Sequence, residues 1–451
     1  MQRRVSLFRR VSIIAIFIYL LATISILLGG CGASRSGLFA RNDTEKNTSH
    51  ATATVSKGIE EIVRDKTPGK IIGKPVDEIF IAGIADFSIE LFKKCASAGD
   101  NSLISPVSII PALAMAANGA CGETLAQMER VLGGDIALAD LNEYLYSYIN
   151  GLPDDESSRF KIANSIWLDS NNGMGIRLED DFLQVNADYF QVSIYDIDFN
   201  DENYALNVIN NWVSEKTENK IDHILDRIDK RIATYIINAV IFDARWRFAY
   251  VSYDTYFDNF TDVNGKSVRT EFMKSQENRY IDNGEAIGFI KPYFNNLYSF
   301  VALMPNADIP INDYIQSLTG MKFIHAVKTA ADKLVFAYLP KYKYEFKIEM
   351  NDVLIDMGMI DAFGDKSDFS KIVMPADGRY RVNIGRVLHK AFIEVNELGT
   401  KAGAASVVAV TAAAWIPPDL IVVKLDRPFV YAIIDNATNL PIFIGAVMTT
   451  K

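Results

Sequence analysis

Histidine and cysteine are scarce in this chain of 451 residues. Four histidines, His50, His223, His325 and His389, are too dispersed for an HExxH metal site. Three cysteines, Cys31, Cys95 and Cys121, cannot build a disulfide framework, and they lack the paired CxxC spacing of structural zinc. Basic residues are outnumbered, 46 against 56 acidic ones, giving a net charge of −10. A phosphate-neutralising surface is therefore not expected, and neither is a nucleic-acid partner. There is no GxSxG elbow and no GxxxxGK[ST] loop, and Gly173-Met174-Gly175 lacks the third glycine of a dinucleotide fingerprint. Dispersed surface acids explain the carboxylates without a hydrolase site. No catalytic residue, metal or cofactor is expected.

What is present begins with a leader. Arg3, Arg4, Arg9 and Arg10 precede an apolar run from Val11 to Leu28, the pattern of a secretion signal over residues 1–30. It ends in Leu28-Gly29-Gly30-Cys31, which resembles the lipobox of prokaryotic lipoproteins, so Cys31 is the expected lipidation site. An uncleaved membrane anchor is the second reading, because a run of about 20 apolar residues also spans a bilayer. Both put the remainder outside the cytoplasm and attached to the membrane, at an extracellular face or in a periplasm. Residues 31–75 are rich in Ser, Thr, Asn, Lys and Gly and read as a flexible tether, with a possible short helix at Ile59 to Val63.

From Val76 to Lys451 there is no further linker and no repeat, which predicts one large domain over 76–451. Ile79 to Phe92 has helical spacing. Ser105-Pro106 starts a second helix that is apolar on every side, contains Pro111, and stops at Asn118-Gly119. Glu202 to Glu218 is a third, with Asn219 suited to a left-handed close. Thr234 to Phe242 reads as a strand buried on both faces, and Val387 to Val395 alternates. Leu420 to Leu425, Pro428 to Ile434 and Pro441 to Met448 read as three more strands. Helices and strands without regular βαβ alternation predict an α+β fold with mixed sheets. His389 falls on an apolar strand face, where a hydrogen-bonded core histidine is the better expectation.

The unusual segment is Glu397 to Pro418. It lies between two strands, has no large side chain before Trp415, and is built from small and β-branched residues. One alternate face, Thr400, Ala402, Ala404, Ser406, Val408 and Val410, would enter a tight groove without steric cost. A loop written as a latent strand predicts a conformational switch.

At this point the chain resembles the serpin family. Glu397 to Ala405 is similar to the family hinge E-x-G-T-x-A-x-A-A, carried by Glu397, Gly399, Thr400, Ala402, Ala404 and Ala405. Asn101, Ser105, Pro106 and Ser108 fit N-x-x-x-S-P-x-S. Ile209-Asn210-Asn211-Trp212-Val213, Asn238-Ala239 with Phe242 and Trp246, Leu339-Pro340-Lys341-Tyr342, and His389-Lys390-Ala391 with Glu394 to Glu397 continue the series. The resemblance covers essentially all of 76–451. It implies a metastable fold of about nine helices and three β-sheets, with an exposed reactive-centre loop. It also implies a monomeric inhibitor, not an enzyme. A serine protease attacks the loop and is held as a covalent acyl complex when the loop inserts into the main sheet. The family's spacing from Glu397 puts the reactive bond at Ala413-Ala414, although a neighbouring bond fits as well. Small apolar residues there suit elastase-like or subtilisin-like proteases. Ser105, Ser108, Asn238, His389 and Trp246 match residues where the sheet must open. Lys401 and Leu398 depart from the usual hinge residues, at positions expected to face away from the groove. A non-inhibitory serpin acting as a binding or storage protein is the alternative. Such members tend to carry bulky, charged or proline residues where this chain has Thr400 and Ala402.

Overall fold

Helix α1 (Glu78–Cys95) begins where Asp77 Oδ1 accepts the Phe80 amide at 2.9 Å, and Lys93 and Lys94 occupy its negative pole. In α2 (Pro106–Ala117) proline takes the first position and every residue is buried. Ser105 precedes it without capping it through the side chain, because Ser105 Oγ donates instead to the Ile442 carbonyl at 2.7 Å. Five helices follow in α3 (Gly122–Gly133), α4 (Leu138–Gly151), α5 (Asp180–Phe190), α6 (Glu202–Lys216) and α7 (Ile311–Ser317), then α8 (Gly320–Lys328) and α9 (Asn351–Met357). After α6 the chain reverses through Glu218 and Asn219, both left-handed, at φ 53° and 58°.

The computed structural model describes residues 60–61, 66–96, 99–134, 136–155, 157–169, 177–190, 193–230, 232, 234–374, 382–400 and 420–451. All fall in one unit, Ser56–Lys451. The strands are, in order, β1 (Glu60–Glu61), β2 (Ser102–Ile104), β3 (Ser158–Leu168), β4 (Arg177–Leu178), β5 (Ser193–Asp196) and β6 (Thr234–Arg245). Next come β7 (Thr255–Thr261), β8 (Ser267–Asp282), β9 (Ala286–Pro292), β10 (Tyr298–Pro305), β11 (Ala331–Pro340) and β12 (Tyr342–Glu349). Last are β13 (Val373–Met374), β14 (Arg386–Val395), β15 (Gly399–Thr400), β16 (Ile421–Lys424), β17 (Phe429–Asp435) and β18 (Pro441–Val447). They form a seven-stranded sheet ordered β1-β5-β3-β6-β15-β14-β12, a nine-stranded sheet running from β16 to β2 with β7 on β8, and the pair β13-β4. The mixed α+β architecture is the expected one.

Strand β6 is buried on both faces because its two faces meet different layers. Ile236, Val240 and Phe242 join the main core with α2 and β18, whereas Tyr235, Ile237 and Ala239 pack with Trp167 and Trp212 beneath α6. Asn238 shares the first face, so it looks toward the start of α2. Strand β14 alternates in burial from Ala391 to Val395 as expected, but its first half is buried on both faces: Leu388 joins the core beneath α6, and Lys390 is 4% exposed and is satisfied by Glu345 at 2.9 Å and the His223 carbonyl at 3.1 Å.

Two sequence expectations change at the N-terminal side. Glu60 and Glu61 form a strand on the edge of β5, not a helix, because backbone pairing with an open edge outweighs a weak local helical tendency. Residues 66–75, expected to be tether, are held against α4 and α5. Gly69 donates its amide to Asp188 at 2.7 Å, Lys66 pairs with Asp180 at 2.8 Å, and the Lys74 amide donates to the Glu143 carbonyl at 3.2 Å. Cys31 and the rest of the leader lie outside the described residues. Cys95 and Cys121 are free thiols.

Candidate functional site

The site is the seam between β6 and β14. The two strands pair in parallel from Arg386↔Tyr235 to Ala391↔Val240. Further along they part, and β15 lies between them. Thr400 pairs with Ala244 on one side and Val395 on the other, and Gly399 pairs with Arg245.

Local chemistry explains why the chain re-enters the sheet here. Asn396 turns it, its Oδ1 accepting the Leu398 and Gly399 amides at 2.9 and 3.3 Å, while its own amide donates to the Gly399 carbonyl at 3.0 Å. Glycine is required at 399, because a Cβ there would sit 2.0 Å from the Ala244 carbonyl oxygen. Thr400 is 1% exposed, and its hydroxyl meets the Tyr293 hydroxyl at 2.5 Å. Trp246 stacks on Tyr293 with centroids 4.6 Å apart, donates Nε1–H to the Asn396 carbonyl at 2.9 Å, and donates its amide to the Leu398 carbonyl at 2.9 Å. The Tyr250 amide donates to the Glu397 carbonyl at 2.9 Å, and the Glu397 carboxylate pairs with Lys341, which also holds Glu271 at 2.8 Å. Burial opposes ionisation of Glu397, but the Lys341 contact outweighs it and holds the carboxyl below its ordinary range. Beneath this hinge lies a buried ion pair, Lys291 with Glu277 at 2.8 Å, whose ammonium rests 4.4 Å from the Tyr250 ring centroid.

Lower in the seam, where the strands still touch, is a polar cluster. Asn238 and His389 are register partners, with Asn238 Oδ1 2.6 Å from His389 Nδ1. His389 Nε2 accepts the Ser105 amide at 3.4 Å, so Nδ1 carries the proton and donates. Asn238 Oδ1 also accepts from Ser108 Oγ at 3.0 Å, and its Nδ2 donates to the Ser108 carbonyl at 2.8 Å and to Asn164 Oδ1 at 2.5 Å. Of these contacts, the Asn238 Oδ1–His389 Nδ1 bond is the one that bridges β6 and β14, and it holds only while the two strands stay adjacent. Burial pushes the His389 imidazole down to about 3, so it is neutral and hydrogen-bonding.

Of the residues singled out in the sequence, Ser105, Ser108, Asn238 and His389 come together in this cluster. Trp246 does not join them; it sits at the open end with Glu397, Gly399 and Thr400. Ala402, Ala404, Ala405, Ala413 and Ala414 lie outside the described residues. Asn164, Tyr250, Tyr293 and the Lys291–Glu277 pair were not foreseen. Lys341 stood in a quoted motif without a role. Among these, only Lys291, a lysine inside the apolar run Ala286 to Phe294, offered a signal, as a charge needing a buried partner.

Comparison with known proteins matches the geometry. The family described as Serpin (serine protease inhibitor) matches residues 82–450. A serpin-like protein of Thermococcus kodakarensis is 28% identical over 96% of this chain and 99% of its own length. Human neuroserpin is 28% identical over 81% of this chain and 90% of its own. The native-state structure of the thermophilic serpin tengpin superposes with a TM-score of 0.83 at 50% identity, covering 87% of this chain and all of that one. The latent-state structure of tengpin gives 0.73 at 48% identity over 84% of this chain. Among the described residues the seam is closed below and entered by β15 alone, in keeping with the better superposition on the native state. The chain is a member of the serpin family, whose members are typically protease inhibitors and not enzymes.

Proposed function

We propose that this serpin inhibits serine proteases outside the cytoplasm as a suicide substrate, cleaved at or beside Ala413-Ala414 and trapping its target when the loop inserts between β6 and β14. The observation that carries the reading is β15: the hinge residue Thr400 is already seated between two strands that pair with each other farther down. Continued in the same register, the loop sets Ala402 between Phe242 and Ile393, Ala404 between Val240 and Ala391, and Ser406 between Asn238 and His389. Those residues share the buried face with Thr400, and each is small enough for it. Insertion thus replaces the Asn238–His389 contact with a strand that brings a hydroxyl to the same place.

Alanines around the scissile bond fit shallow specificity pockets, which supports elastase-like or subtilisin-like targets. The arginine-flanked apolar run ending at Cys31 supports a lipid-anchored protein on an extracellular or periplasmic face. No helix among the described residues is long and apolar enough to cross a membrane, and the apolar run falls outside them.

Incubation with pancreatic elastase and with subtilisin tests the reading. The expected product is a complex that survives SDS, with mass mapping placing the released peptide's N-terminus at Ala414. Cleaved loop with fully active protease across such a panel would instead make this chain a substrate and favour the binding or storage role.

A further inference from the structure

The ion pair under the hinge stands where packing alone would place apolar side chains. Lys291 on β9 and Glu277 on β8 are 2.8 Å apart and almost wholly buried. Well-packed apolar residues of similar volume are commonly neutral or stabilising in place of such a pair, so the two charges answer a demand other than stability. Burial opposes the Lys291 charge, but Glu277 outweighs it and holds the ammonium above its ordinary range.

The ammonium touches the segment that leaves β6. It lies 5.4 Å from the Trp246 ring centroid, 3.4 Å from the Phe248 carbonyl oxygen and 4.4 Å from the Tyr250 ring centroid, alternate residues of one stretch. Trp246 has other support, since it stacks on Tyr293 and meets Phe300 edge-on with centroids 5.9 Å apart. Tyr250 is held by the pair at two points. Its ring rests on the ammonium, and its hydroxyl is 3.2 Å from Ser275 Oγ, which donates to Glu277 Oε1 at 2.7 Å. The one Ser275 proton is committed to the carboxylate, so Tyr250 donates to Ser275. The backbone of Tyr250 in turn donates its amide to the Glu397 carbonyl. Contact therefore runs without a break from the pair, through Tyr250, to the point where the hinge turns into the sheet.

We propose that Lys291 and Glu277 are positioning residues for loop insertion: acting through Tyr250, they make the Glu397 carbonyl a fixed pivot about which the loop enters the seam. A loose pivot slows insertion and lets the acyl bond to the protease hydrolyse first. That kinetic consequence rests on the trapping reading above, whereas the positioning of Tyr250 does not.

Three measurements on the full chain, wild type against Lys291→Met with Glu277→Leu, test the proposal. The urea midpoint should be unchanged or higher in the variant, as expected when apolar residues replace a buried pair. Native-state hydrogen exchange, resolved to single residues by mass spectrometry, should show the Tyr250 amide exchanging about tenfold faster or more. The Trp246 amide should change less, because Tyr293 still holds its ring. Titration against elastase should consume severalfold more inhibitor per protease inactivated, with the rate of first association unchanged. Tyr250→Phe removes only the hydroxyl contact and should move exchange and stoichiometry the same way by less, which decides the matter if the double variant does not fold. Unchanged exchange at Tyr250, or exchange that rises only in step with a loss of global stability, would overturn the proposal. Faster exchange with unchanged stoichiometry would overturn its link to insertion. A wild-type chain that forms no SDS-stable complex would contradict the trapping reading alone, and the exchange result would still decide the positioning.

Discussion

At Thr400 the hinge side chain has already left solvent. Its hydroxyl is paired with Tyr293, a phenol whose own ionisation burial pushes far out of reach, so the pocket is neutral. Thr400→Arg places a guanidinium in that pocket and should slow insertion enough for hydrolysis to win. Titration against a cognate protease should then show more inhibitor consumed per protease inactivated, whereas an unchanged stoichiometry would separate Thr400 from the trapping step. His389 gives a pH signature. Its folded value of about 3 lies below the ordinary 6.5. The unfolded chain therefore binds a proton that the native seam refuses. This contribution to stability is complete above pH 6.5 and is lost as pH falls from there toward 3, at up to about 1.4 kcal/mol per pH unit. Urea titrations of wild type and His389→Gln between pH 7 and 5 should show that slope in the first and a flatter one in the second. Asn238→Ala orphans the His389 Nδ1–H and takes the donor from Asn164 Oδ1, and should cost about 1–3 kcal/mol by the same measurement.

Among the elements, β15 is only two residues long yet is held between β6 and β14. Gly399→Ala puts a methyl against the Ala244 carbonyl, a backbone atom of a central strand that cannot yield. Strand β15 should leave the seam and take the stacked environment of Trp246 with it. A shift in tryptophan emission together with slower protease inhibition is the expected outcome; unchanged emission and rate would mean that β15 sits there passively. Much of this seam was legible in advance, since an asparagine inside an apolar strand and a histidine on an apolar face each require partners, and the run after Glu397 reads as a strand without a sheet. Asn164 and Tyr293 were not legible, because their roles depend on the register of β3 on β6 and on stacking from the second sheet, which no local pattern encodes. The same limit explains β1: its pairing partner is more than a hundred residues away, and local propensity pointed elsewhere.

For the whole molecule, the proposed function divides the work between a leader that would set location and a sheet seam that would do the trapping. If the lipobox is used, Cys31→Ala should abolish incorporation of labelled fatty acid and release the protein from membranes; unchanged membrane association would favour an uncleaved anchor. The seam is closed by few side-chain bonds and opened at one end by its own loop, so native pairing and loop insertion compete for the same strand edges. The direct test of that competition is thermal unfolding before and after the loop is nicked near Ala413-Ala414 by a protease that escapes trapping. A new central strand making on the order of ten ladder bonds, each about 1 kcal/mol net, should raise the midpoint by roughly 10 °C or more. A midpoint unchanged by the nick would show that the loop never joins the sheet.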